Sequence, residues 1–120
     1  MTTIHMLSAF DLKPDESEAE FRTAYADFTK DLIREGIVTT AGPVGRRVAD
    51  TPMDTDDART HRFFSMLSFR DRAHLDAAYA YLARRRGEAT GSHKDMHARI
   101  TNSVFLCWQD SDEPSCPSFR

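Results

Sequence analysis

Thr60-His61-Arg62-Phe63-Phe64-Ser65-Met66-Leu67-Ser68-Phe69 reads as a β-strand that is apolar on both sides. Its odd positions Phe63, Leu67 and Phe69 fall on one face by the two-residue period of a strand. The even positions Phe64 and Met66 make the other face nearly as apolar, with Arg62 at one end. A strand of this kind has to be covered on both faces. The rest of the chain offers two convincing helices, enough for one side. The second face therefore calls for another subunit, a ligand, or both.

On the C-terminal side, Arg70-Asp71 leads into an amphipathic helix with the stripe Leu75, Ala78, Tyr79 and Leu82. Asp71 is suited to cap it, and Arg84-Arg85-Arg86 in its last turn complement the helix dipole before Gly87. On the N-terminal side lies Ala49 to Arg59, with Asp50, Asp54, Asp56 and Asp57 around Pro52. These aspartates fit no calcium-loop spacing, so the segment reads as a solvated, mobile connection. Before it, Ile37 to Val48 reads as a strand interrupted by Gly42-Pro43 and Gly45, which suits a sheet edge. Arg46 and Arg47 near its end could clamp an anion, but such pairs more often stand as solvated edge charges.

Ile4 to Leu12 forms another strand with two largely apolar faces: Ile4, Met6, Ser8 and Phe10 on one, His5, Leu7 and Ala9 on the other. Lys13-Pro14-Asp15 ends it. Ser17-Glu18-Ala19-Glu20 then matches a capping box, and Phe21, Tyr25, Phe28 and Leu32 form one helical stripe closed by Gly36. Glu88 to Ala98 is either a loop or a short helix. Arg99 to Gln109 is the last strand, with Asn102, Val104, Leu106 and Trp108 opposite Ser103, Phe105 and Cys107.

The order is β-α-β-β-α-β, which predicts an α+β, ferredoxin-like fold: an antiparallel sheet, central first and third strands, and both helices on one face. Residues 1–110 form the expected domain and 111–120 a C-terminal tail. The bare sheet face is expected to pair with a second copy across a two-fold axis, enclosing an apolar core or cavity.

Size and composition bound the function classes. The chain has 120 residues, 40% hydrophobic and 29% charged, with a net charge of −3. Cations are interspersed with acids rather than gathered on one face, so no nucleic-acid partner is expected. No run approaches the roughly 18 apolar residues of a membrane span, and the N-terminus lacks a signal-peptide pattern. The reading is a cytoplasmic protein in which Cys107 and Cys116 are reduced thiols.

Ala9-Phe10-Asp11-Leu12-Lys13-Pro14 and Leu67-Ser68-Phe69-Arg70-Asp71-Arg72-Ala73-His74-Leu75-Asp76-Ala77-Ala78 resemble segments of uncharacterised bacterial proteins of the dimeric α+β barrel superfamily. Phe105-Leu106-Cys107-Trp108-Gln109-Asp110 is compatible with them. Thr3-Ile4-His5 and His93 more loosely resemble the stress-responsive and polyketide-cyclase branch, where a first-strand histidine and one beyond the last helix face the cavity. The antibiotic-biosynthesis monooxygenases are a further similar branch. This chain has a longer link from the first strand to the first helix than the cyclase branch.

The resemblance implies a cofactor-independent enzyme of the cyclase or oxygenase type, acting on an aromatic or polyketide-like molecule. Its alternatives are a non-catalytic dimeric binder or stress-associated protein and, third, a haem-binding or haem-degrading protein. His5 and His93 are the expected catalytic pair, histidine being the side chain suited to proton transfer near neutrality. Leu7, Ala9, Arg62, Phe64, Met66 and Ser68 are expected to line the cavity on the face of His5. Asn102 and Trp108 join them because cofactorless oxygenases of the superfamily use such residues. Each has a plainer reading: His5 as a strand-end or interface histidine, Trp108 as core. His93 and His97 have a spacing that can hold zinc, but Lys94 stands where a metalloprotease has its glutamate and no third ligand is evident, so no metal is expected.

Overall fold

The computed structural model describes residues 2–85 and 91–111. Eight elements follow in order: β1 (Ile4–Leu12), α1 (Glu18–Arg34), β2 (Thr40–Ala41), β3 (Gly45–Arg46), β4 (Phe63–Phe69), α2 (Arg72–Arg85), α3 (Ser92–His97) and β5 (Ile100–Gln109). The sheet runs β2-β4-β1-β5, with β3 also on β4. Every described pairing is antiparallel. The two strands apolar on both faces, β1 and β4, are the central pair, as the sequence pattern requires.

Register assigns the faces. Ile4 lies opposite Phe69, Met6 opposite Leu67, Ser8 opposite Ser65 and Phe10 opposite Phe63. This face meets the helices, and Phe10, Phe63, Leu67 and Phe69 join Phe21, Tyr25, Phe28 and Leu32 of α1 in one core. The other face pairs His5 with Ser68, Leu7 with Met66 and Ala9 with Phe64. On its far side β5 contributes Trp108, Leu106 and Val104. No described helix covers that face, and Met66, Val104, Leu106 and Trp108 are all exposed there.

Local chemistry explains where the elements begin and end. The Ser17 hydroxyl accepts from the Glu20 amide at 3.2 Å, capping α1. Gly36, at φ +72°, closes the same helix, and the Ile37 amide donates back to the Leu32 carbonyl at 2.8 Å. Asp71 caps α2 by accepting from the His74 amide at 2.9 Å. The segment expected as one edge strand is two short ones. The register on β4 slips by one residue between Ala41 and Gly45, across Gly42-Pro43, because proline has no amide to give the ladder.

Two expectations are corrected by side-chain contacts. Arg47 is not a solvated edge charge: its guanidinium bonds both Asp54 carboxylate oxygens, at 2.7 and 2.8 Å. It also donates to the Asp56 carbonyl at 2.7 Å and to that of Arg59. The aspartate-rich connection is therefore folded around Arg47 rather than loose. Arg86, Gly87 and the tail from residue 112, Cys116 included, lie outside the described residues. Cys107 is a free, exposed thiol. Among the described residues no helix is long and apolar enough to cross a membrane.

Candidate functional site

An apolar cavity of about 340 Å³ lies between the sheet and the helices, not on the bare face. Met6, Ser8 and Phe10 of β1, Ser65 and Leu67 of β4, and Phe105 of β5 form its floor. Tyr25 and Phe28 descend from α1, Tyr79 and Leu82 from α2, and His93, Met96 and His97 from α3. The size sits at the low end of small-molecule pockets, which run from about 300 to 1,000 Å³. An apolar wall with a few polar groups is the usual makeup of such pockets.

Those polar groups are specific. Ser8 and Ser65, cross-strand partners, place two small hydroxyl side chains side by side where larger residues would fill the space. Tyr25 stands above them. Burial pushes its pKa upward and the Ser65 hydroxyl offsets this in part, so Tyr25 stays a phenol able to donate a hydrogen bond. The His93 ring stacks on Phe28 with centroids 5.4 Å apart and meets the His97 ring edge-on at 4.8 Å. Ser92 donates to the Asp31 carboxylate at 2.6 Å, tying α3 to α1 and fixing the height of this histidine pair.

His5 and His93 are not brought together. His5 is on the bare face, where Ser68 bonds its Nδ1 at 2.7 Å and its Nε2 donates to Asp110 at 2.9 Å. Trp108 lies against it at 5.2 Å. Within the chain both ring nitrogens of His5 are already engaged, in a Ser68–His5–Asp110 series. Leu7, Ala9, Phe64, Met66 and Ser68 do share its face, as alternation requires. Arg62 is exposed beside Phe63, 6.0 Å from that ring.

Asn102 stands at the other end of the face from Trp108. The register shifts between Ala9 and Asp11 opposite it, and Asn102 adopts φ +58° there. Its carbonyl accepts from His61 at 2.8 Å and its amide reaches Asp11 at 3.4 Å. This β-bulge turns it out of the row that Trp108 occupies. Among the described residues no group of three His, Cys, Asp or Glu is placed to hold a metal.

Of the expected site residues only His93 lines this cavity, and Tyr25, Ser8 and Ser65 are among the lining residues that sequence reasoning passed over. A tyrosine on a helix stripe reads as core, and here it is both core and lining. The signal was in the strands: Ser8 and Ser65 are the small polar positions on otherwise large, apolar helix-facing rows.

Sheet order, helix placement and a cavity roofed by helices define a ferredoxin-like α+β protein with a small-molecule-sized pocket. Residues 1–117 match the model of a family of unknown function (DUF6614), and the chain belongs to that family. No curated protein matches. Among solved structures, At3g17210 of Arabidopsis thaliana superimposes with a TM-score of 0.67 at 9% identity, covering 92% of this chain and 97% of that one. A point mutant of SnoaB, a cofactor-independent oxygenase from Streptomyces nogalater, gives 0.62 at 13% identity, covering 92% and 94%. A dimeric ferredoxin-like protein of unknown function from Jannaschia sp. CCS1 gives 0.56 at 16% identity, covering 91% and 98%. These likenesses establish the fold.

Proposed function

We propose that this chain is a cofactor-independent enzyme that moves a proton on an aromatic or polyketide-like substrate held between the sheet and the helices. The observation that carries this reading is the cavity itself: an apolar slot whose polar groups include a histidine pair, a buried phenol and two serines. Cyclisation and oxygenation without a cofactor share a first step, removal of a proton next to a carbonyl to give an enolate. In this reading His93, which lines the cavity, accepts that proton. Tyr25, kept protonated by burial, is the donor for the developing oxyanion. The enolate can then attack a second carbonyl of the same molecule or reduce dioxygen. The similarity to SnoaB supports the class of reaction.

We further infer that the bare face pairs with a second copy. Four large apolar side chains are exposed on it, and the similar Jannaschia protein is described as dimeric. A second reading of the chemistry places it in that interface, at the Ser68–His5–Asp110 series.

The test is deuterium exchange at the enolisable carbon of anthrone, a three-ring ketone, followed by mass spectrometry. Wild-type protein should accelerate exchange. His93→Gln should lower that acceleration by about 10²-fold or more, the usual worth of a general base. Tyr25→Phe should lower it by about 10-fold or more, and His5→Ala should leave it intact. Loss in His5→Ala with retention in His93→Gln would move the chemistry to the bare face. No acceleration by the wild type would refute the proton-transfer reading.

A further inference from the structure

Ser68, His5 and Asp110 form one row at the end of the bare face, where β4, β1 and the close of β5 meet. The Ser68 hydroxyl is 2.7 Å from His5 Nδ1, and His5 Nε2 is 2.9 Å from the Asp110 carboxylate. An ionised carboxylate only accepts hydrogen bonds, so the ring proton belongs on Nε2. That leaves the lone pair of Nδ1 facing the Ser68 O–H. A serine that donates to an imidazole whose tautomer is set by an acid is an activated nucleophile. The backbone holds the row in place. The Ser68 carbonyl accepts from the Thr39 amide at 2.8 Å and the Thr39 hydroxyl at 2.9 Å. The Asp110 amide donates to the Thr3 carbonyl at 2.9 Å. Thr40 is the partner of Ser68 on β2 and is exposed, so it brings a second hydroxyl to the same face.

We propose that Ser68 is a nucleophile that takes the acyl group of an uncharged aromatic ester, with His5 as its base and Asp110 positioning that base. The site is on the opposite side of the sheet from the chamber and does not depend on the proton-transfer reading. The Ser68 oxygen bonds to the ester carbonyl carbon while its proton passes to His5 Nδ1. The bond from that carbon to the alcohol oxygen then breaks, and His5 returns the proton to the departing oxygen. Water repeats the sequence on the acyl-serine, releasing a carboxylic acid and restoring Ser68. The Thr40 hydroxyl is the donor for the oxyanion formed at each addition. Trp108 against the His5 ring at 5.2 Å, with Met66 and Leu106 exposed along the face, favours an aromatic, uncharged ester. Asp110 is exposed at the strand end, so an ester reaches the row from the rim while the apolar middle of the face pairs with a second copy.

The experiment gives the protein 2-naphthyl acetate, follows release of 2-naphthol by fluorescence, and maps the acetyl group by peptide mass spectrometry. The wild type should release 2-naphthol faster than buffer and carry the acetyl group on Ser68. His5→Gln should slow release by about 10²-fold or more. Asp110→Asn should slow it by about 10-fold or more, and Asp110→Glu, which keeps the carboxylate, should restore part of that loss. The variants should keep the wild-type circular dichroism. Ser68→Ala should carry no acetyl group on that peptide and lose the early release. Acetylation confined to Tyr25, Ser65 or a lysine would overturn the assignment, as would release no faster than buffer. The map of the wild-type protein decides between these outcomes even where a variant fails to fold.

Discussion

The proposed pairing of two copies through the bare face predicts that truncating Leu106 weakens association without unfolding either copy. Leu106 lies on the bare face beside Leu7 and is 57% exposed in the single chain. Fully burying a leucine is worth about 1.5–3 kcal/mol, so covering that exposed share contributes roughly 1–1.7 kcal/mol per subunit. A two-fold interface contains the residue twice. Leu106→Ala should therefore weaken association by about 2–3.4 kcal/mol, or roughly 30- to 300-fold in Kd. Sedimentation velocity over a concentration series reads this directly. Thermal unfolding of the dilute monomer should barely move, since the side chain is largely exposed there. Tyr79, 67% exposed on the helix side, is the control: Tyr79→Ala should leave association unchanged. An unaltered Kd for Leu106→Ala, or an equal loss for Tyr79→Ala, would refute pairing through the bare face.

Acid should release the 48–62 connection before it unfolds the sheet. Asp54 is held below its usual pKa by Arg47, and Asp56 is brought down to about 2, chiefly by the Ala58 amide and then by Arg59. Depressed carboxyls stabilise above their ordinary value and lose that contribution as pH falls through the folded one. The Ala58 and Arg59 amide resonances should therefore hold down to about pH 4 and move between about 4 and 2; earlier movement would mean the Arg47 cluster does not anchor the loop. His74→Ala should lower stability by about 2–4 kcal/mol in thermal unfolding. The imidazole, 7% exposed, accepts from the Arg70 amide at 3.0 Å and donates to the Gly36 carbonyl at 2.7 Å, and its loss strands both groups.

The architecture was largely legible because β1 and β4 carry their message in alternation: each is apolar on both faces, and only central strands are covered twice. Ser17, Gly36 and Asp71 marked helix ends through their own hydrogen-bonding chemistry, so those boundaries fell where expected. The edge was harder. Gly42-Pro43 announced an irregularity, but whether a bulge or a break follows depends on which β4 carbonyls remain within reach. The site was legible in part. Alternation put His5, Leu7, Ala9, Phe64, Met66 and Ser68 on one face, but it does not say which face holds a cavity. That depends on how far α2 and α3 stand off the sheet above Ser8 and Ser65. Nor could spacing show that the short helix carrying His93 packs on Phe28, on the other side of the sheet from His5. Arg47 was misjudged for a related reason: its partners Asp54 and Asp56 lie in a loop without periodicity, and only the folded path brings them round it.

The central claim is that ligand enters between the helices and the sheet, and the methionine methyl groups report on it directly. Met6 and Met96 line the chamber, whereas Met66 is on the bare face and Met53 is 89% exposed in the loop. Titrating 2-naphthol into protein with 13C-labelled methionine methyls should shift the Met6 and Met96 signals by ring current and leave Met66 and Met53 in place. A shift confined to Met66, with Met6 and Met96 unmoved, would contradict the account.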